Sequence, residues 1–241
     1  MKDNCEKLKI AIKNANKICV FTGAGISCPS GIPDFRSADG LYAQDGVKSY
    51  SPEEVLSHLF FYSHPDLFYE FYKNKMVYKD AKPNLAHEYF ANLEKQGKDI
   101  TIITQNIDGL HQMAGSSNVF ELHGSIYRNH CTYCGESYGL NYILQSNLPR
   151  CKKCNSVIKP DVVLYGEMLP FSVTENAIKA ISECDLLIVV GTSLTVQPAA
   201  SFLEKFKGET LALINKSKTD MDNKADIVIN DNIVEVVRKL I

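Results

Sequence analysis

Ile18-Cys19-Val20-Phe21-Thr22-Gly23-Ala24-Gly25-Ile26-Ser27 is a short apolar run that ends in a glycine-rich turn. A strand apolar on both faces is buried between layers, as in a parallel sheet. Glycines at its end let backbone N–H groups approach a phosphate closely, and a following helix would add its positive end. As a dinucleotide fingerprint the turn is incomplete, because the third glycine of G-x-G-x-x-G falls at Cys28. A bare G-x-G after a strand is equally a plain tight turn. Gly31-Ile32-Pro33-Asp34-Phe35-Arg36, just beyond, sets an anion, an aromatic ring and a bidentate cation beside it.

Similar apolar runs recur at Ile100 to Thr104, Val119 to Leu122, Asp161 to Tyr165, Leu186 to Val190, Thr210 to Ile214 and Ile227 to Ile229. Helical patterns lie between them near residues 3–16, 84–95, 172–182, 197–206 and 233–240. This alternation predicts an α/β fold, a Rossmann-like doubly wound parallel sheet. Two stretches interrupt it, an aromatic-rich one over 37–80 and a cysteine-bearing one over 126–158. They predict a smaller helical and zinc-ribbon domain, leaving 1–36, 81–125 and 159–241 to the larger one. Most of Phe60, Phe61, Tyr62, Phe68, Tyr69, Phe71 and Tyr72 are expected to pack that small lobe.

Cys131, Cys134, Cys151 and Cys154 form C-x2-C, a gap of sixteen residues, then C-x2-C. The spacing folds two knuckles around one tetrahedral zinc, with Gly135 and Asn155 closing the turns; two disulfides are the alternative. Four thiolates fill the coordination sphere, so the metal is structural and the chemistry lies elsewhere. Cys5, Cys19, Cys28 and Cys184 have no paired spacing, and no charged-then-apolar leader opens the sequence. These features point to a reducing cytoplasm. The longest apolar run, Leu186 to Val190, is too short to cross a bilayer. A net charge of -2 gives no footprint for nucleic acid, and Lys152, Lys153 and Lys159 read as a solvated ribbon edge.

Polar groups gather at strand ends, where ligand sites of this architecture form. Gln105, Asn106, Ile107, Asp108, Gly109, Leu110 and His111 follow one strand, and Leu122-His123-Gly124 follows the next. Helix capping by Asn106, Asp108 and Gly109, and packing by His123, are the plainer readings of each cluster alone. Together, beside one glycine turn, they point to a site.

These motifs resemble the sirtuin family of NAD-dependent protein lysine deacylases, of bacterial type. Gly23-Ala24-Gly25-Ile26-Ser27, Gly31 to Arg36, Thr104 to His111, Leu122-His123-Gly124, the four cysteines, Gly166-Glu167 and Gly191-Thr192-Ser193 follow the family's order. The resemblance implies a cleft between the two domains that takes NAD and an acetylated protein or peptide. Gly23, Ala24, Gly25 and Ser27 would line the phosphate loop, with Asp34, Phe35 and Arg36 over the nicotinamide ribose and pyrophosphate. Gln105, Asn106, Ile107 and Asp108 would form the nicotinamide pocket, with Asn106 and Asp108 taking part in catalysis. Gly191, Thr192, Ser193 and Asn215 would meet phosphate or ribose, and Ile233 the adenine.

In the family's mechanism the acyl oxygen attacks the nicotinamide ribose, nicotinamide leaves, and an alkylimidate forms. His123 would then act as general base on a ribose hydroxyl, giving free lysine and O-acetyl-ADP-ribose. NAD is consumed rather than used as a redox carrier. The peptide would lie as a strand between Val162, Val163, Tyr165, Gly166 and Glu167 on one side and Leu194 to Gln197, including Val196, on the other. Departures from the family pattern are Cys28, Lys159 and Tyr165. Tyr72-Lys73-Asn74-Lys75 aligns with a Tyr-x-x-Arg pair that reads acyl carboxylates, but lysine replaces the arginine; packing of Tyr72 in the small lobe is the alternative. Rival functions are an ADP-ribosyltransferase of the same family and a zinc-ribbon nucleic-acid module.

Overall fold

A computed structural model describes residues 2–35, 37, 40–43 and 46–241. The large sheet contains β1 (Lys17–Thr22), β2 (Asp99–Thr104), β3 (Val119–Glu121), β7 (Leu186–Val190), β8 (Thr210–Ile214) and β9 (Ile227–Ile229). All its pairings are parallel, and the order is β3-β2-β1-β7-β8-β9. Relabelled by sequence within the sheet this is 3-2-1-4-5-6, the doubly wound order expected from the alternation.

Because strand side chains alternate, each strand feeds two cores. Ile18, Val20, Ile102 and Ile188 point to one face, under α1 (Lys2–Asn14), α5 (Leu85–Lys95) and α9 (Ile233–Leu240). Cys19, Phe21, Ile103 and Val189 point to the other, under α8 (Phe171–Glu183) and a 3-10 segment, Ala199–Lys205. That segment replaces the α-helix expected near 197–206. Helix starts are capped as their sequences suggest: Asn84 accepts from Ala86 N–H before α5, and Asn232 from Val234 N–H before α9.

The insertions form a second core. Short helices α2 (Pro52–Val55), α3 (His58–Ser63) and α4 (Pro65–Lys75) present Phe60, Phe61, Phe68, Tyr69, Phe71 and Tyr72 to it, whereas Tyr62 is exposed. Across it lies an antiparallel sheet, β5-β4-β6, of β4 (Gly124–Cys131), β5 (Ser137–Gly139) and β6 (Ile158–Val162), with α7 (Leu140–Ile143) alongside. Ile126, Ile143, Ile158 and Leu164 share one cluster with the aromatics. The Tyr69 hydroxyl donates to the Ile158 carbonyl and joins the two halves.

The run Asp161 to Tyr165 is not a parallel strand. Its first two residues end β6 in the ribbon sheet, and Tyr165 then bridges to Ser57 beside α3. It is apolar because Val162 and Leu164 enter the small-lobe core. Among the described residues no helix is long and apolar enough to cross a membrane.

Candidate active site at the strand ends

The strand order reverses between β1 and β7, so their outgoing loops part and leave a crevice at the carboxyl ends. Gly25 and Gly191 meet there back to back. A Cβ on Gly25 would stand 2.7 Å from the Gly191 Cα, and Gly191 has φ 60. Gly25 N–H donates to the Gly191 carbonyl at 2.8 Å. Two 3-10 turns, Ala24–Ile26 and Cys28–Ser30, follow instead of the expected helix, since Pro29 supplies no N–H and Gly31 turns left-handed at φ 85. Turns this short have no helix dipole to contribute, so single N–H groups remain as the donors.

A polar chain crosses the floor of the crevice. Gln105 Nε2 donates to Thr192 Oγ1 at 3.1 Å. Asn106 Nδ2 donates to the Gly23 carbonyl and to Ser27 Oγ, both at 3.1 Å. Ser27 Oγ in turn donates to Asp108 Oδ2 at 2.7 Å, while Leu110 N–H caps onto Asp108 Oδ1 at 2.9 Å at the start of α6 (Leu110–Ala114). Asp108 therefore caps a helix and also faces the glycine turn. Burial pushes its carboxyl above the ordinary range, and the Leu110 and Ser27 hydrogen bonds oppose that shift. Ile107 accepts Ile126 N–H on its carbonyl and packs against the small-lobe cluster.

His123 leaves β3 next to this chain. Its Nδ1 is 2.9 Å from the Gln105 carbonyl oxygen, which can only accept, so Nδ1 carries the proton and Nε2 is the basic nitrogen. Burial lowers its pKa, with the Gln105 bond opposing, so the ring is neutral at pH 7. The His123 carbonyl accepts Val163 N–H at 3.0 Å, and Gly124, φ 77, begins β4 opposite Val162.

The other expected residues make local contacts of their own. The Phe35 ring meets Tyr42 edge-on at 5.5 Å, and the Tyr42 and Tyr165 hydroxyls touch. Asp34 Oδ1 accepts Ser37 N–H, whereas Arg36 lies outside the described residues. Burial and the nearby Asp34 raise the Cys28 thiol, which makes it a poor nucleophile. Ser193 Oγ pairs with Thr195 Oγ1, and the Asn215 amide donates to Ser217 O. Ile233 is buried in the core at the start of α9. Leu194 has φ 58, so Leu194 to Gln197 is not the extended segment expected; its N–H turns back to Thr192 Oγ1.

Cys131, Cys134, Cys151 and Cys154 bring their sulfurs within 4.8 Å of one another and are not disulfide-bonded. Sulfur pairs at 3.3 to 3.6 Å approach the roughly 3.8 Å edge of a tetrahedron with Zn–S near 2.3 Å. Gly135 and Asn155 close the knuckles with φ 71 and 60. The set fits one structural zinc.

The Sir2 family profile matches residues 23–198. The chain belongs to the Sir2 family. An NAD-dependent protein deacetylase of Clostridium acetobutylicum is 54% identical over 99% of this chain and 98% of its own length. A Sir2–p53 peptide–NAD+ structure superposes with TM-score 0.87 at 39% identity, over 98% of this chain and 96% of that one. A Sir2 complex with deacetylated p53 peptide and 3'-O-acetyl ADP-ribose does so with TM-score 0.89, at the same identity and coverage. Within this Sir2 chain Gly23, Ser27, Gln105, Asn106, Asp108, His123 and Thr192 are linked by hydrogen bonds at the strand ends. Sequence reading missed His87, which forms a buried cluster with Thr22 and His111. Thr22 Oγ1 lies 3.2 Å from His111 Nε2, and the two imidazoles pack edge to face at 4.8 Å. The only sequence signal was His111 itself, read there as part of the site.

Proposed function

We propose that this Sir2 protein is an NAD-dependent protein lysine deacetylase that yields free lysine, nicotinamide and O-acetyl-ADP-ribose. The observation that carries the reading is His123, held by the Gln105 carbonyl so that its free Nε2 is the base. That nitrogen takes the proton of a ribose hydroxyl. Asp108 accepts a hydrogen bond from the nicotinamide amide, and Asn106 keeps Ser27 and the glycine turn in register with it. Gly23, Ala24, Gly25 and Ser27, with Asp34, Phe35 and Arg36, receive the phosphates and the adjacent ribose. Gly191, Thr192, Ser193 and Asn215 complete that side, and Ile233 backs the adenine.

Val162 to Glu167 receives the acetylated peptide as an added strand, with Leu194 and Val196 opposite. Supporting this is the hydrogen bond that ties Val163 to His123. The large domain comprises 1–36, 81–123 and 166–241, and the small one 37–80 and 124–165, because β4, β6 and Leu164 belong to the small-lobe sheet and core. The protein works in the cytoplasm and binds no nucleic acid.

Incubation with NAD and an acetylated peptide, followed by mass spectrometry, tests the reading. Deacetylated peptide with O-acetyl-ADP-ribose is expected. A peptide that gains ADP-ribose would instead identify a transferase, and no NAD loss a binding module.

A further inference from the structure

Lys159 was expected at a solvated ribbon edge, yet it is buried on β6, 7% exposed. An ammonium group has three donors, and each finds an acceptor here. Two are carbonyls of its own strand, Pro160 at 3.3 Å and Val162 at 3.0 Å; the third is Glu167 Oε2 at 3.1 Å. Glu167 Oε2 also accepts Leu164 N–H at 2.9 Å, and Oε1 lies 2.9 Å from His58 Nδ1 on α3. Burial alone would raise the Glu167 carboxyl, but the His58 and Leu164 hydrogen bonds and the Lys159 charge together hold it below its ordinary value. The segment from Pro160 to Glu167 thus curls around one cation.

That curl decides which backbone groups are used. On its outer side Tyr165 N–H donates to the Leu56 carbonyl and His58 N–H to the Tyr165 carbonyl, at 3.0 and 2.9 Å. On the strand side Val163 N–H is taken by His123. Among the described residues the Val163 carbonyl and both backbone groups of Gly166 bond to nothing else in the chain. Gly166 thus keeps both an unpaired donor and an unpaired acceptor, the pair one edge residue offers a guest strand, and the Val163 carbonyl adds an acceptor beside it. A buried ion pair contributes little net stability when replaced as a whole, but it fixes geometry, and leaving one partner unpaired is costly.

We propose that Lys159 is a positioning residue for the acyl-lysine peptide: through Glu167 it holds the Val162–Glu167 segment in the curvature that offers Val163 and Gly166 to the guest strand. The inference rests on that segment being the peptide site. Lys159 touches neither substrate; its effect passes through the backbone it gathers. The removal of uniform binding raises KM and spares kcat.

The test is steady-state kinetics of Lys159→Met, Lys159→Gln, Lys159→Arg and Glu167→Gln on one acetylated peptide with NAD. Lys159→Met is expected to raise the peptide KM roughly tenfold, with kcat and the NAD KM little changed. Lys159→Arg, which keeps a buried cation, restores most of it. Glu167→Gln removes the charge with little change of shape and is expected to raise the peptide KM as well, and Lys159→Gln, which drops the cation and keeps a donor, decides the matter if Lys159→Met does not fold. Equal increases in the peptide and NAD KM values, or no change in either variant, overturn the proposal. Hydrogen exchange of the wild type with acetylated peptide reads the Gly166 amide separately. No new protection there refutes the peptide site itself, whereas protection with unchanged KM in both variants refutes the role of Lys159 alone.

Discussion

The imidazole of His123 donates through Nδ1 to the carbonyl oxygen of Gln105, so one residue of the polar floor sets the tautomer of the base on the neighbouring strand. A ring held this way can take a proton only at Nε2. His123→Ala is expected to lower deacetylation by about 10²-fold or more while leaving the far-UV circular dichroism unchanged. Because burial depresses the pKa of His123, the acid limb of the kcat/KM profile should fall below pH 6.5. A limb centred above that value would remove His123 from the role.

Zinc should be found at one ion per chain, and chelation or Cys131→Ala should unfold the ribbon. Structural zinc contributes on the order of 10 kcal/mol to small modules. Since the ribbon shares its apolar cluster with the helical insertion, the loss should reach Tyr69 and Phe61, visible as a change in near-UV circular dichroism. Active protein without metal would contradict this, and cobalt should restore activity if the role is purely structural.

Acid should destabilise the protein through its buried imidazoles. His87 is fully buried and its pKa is lowered to about 4 by burial; His111, beside it, is lowered too. Unfolded histidine binds a proton below about pH 6.5 and folded His87 only near 4, so the stabilisation is complete above 6.5 and lost as pH falls to 4. His87 alone accounts for about 3 kcal/mol over that window. Urea denaturation at pH 7 and 4.5 measures it; a slope unchanged in His87→Leu would exclude His87 as the source.

Acetyl-lysine should be preferred over succinyl-lysine by kcat/KM on one peptide. Tyr72 is fully buried, its ring stacked on Phe68 at 5.5 Å, which favours packing over carboxylate recognition. Lys75 also lacks the planar fork with which arginine grips a carboxylate. A higher kcat/KM for the succinyl peptide would reverse this, and Lys75→Ala would show whether that lysine is responsible.

What was legible in the sequence was local. Leu186 to Val190 reads as a buried strand because both of its faces meet a core, and the cysteine knuckles read from spacing and from the residues that close them. Asp161 to Tyr165 misled for the same reason: an apolar run does not say which core it enters. The Lys159, Glu167 and His58 network was invisible because His58 and Glu167 stand 109 positions apart, and no local pattern marks a pair that only the fold brings together. The left-handed Leu194 had no signal either, since leucine rarely adopts that backbone.

Gly124 sits between the base and the ribbon. A side chain there would overlap the Asp161 carbonyl oxygen, and its φ of 77 already disfavours one. A library randomised at this position and screened for turnover should therefore return glycine alone. Attempts to redirect the enzyme toward new peptides gain nothing by varying the neighbour of His123. Tyr165, 43% exposed and paired with Ser57 rather than with the strand of Gly124, offers a side chain outside that close contact.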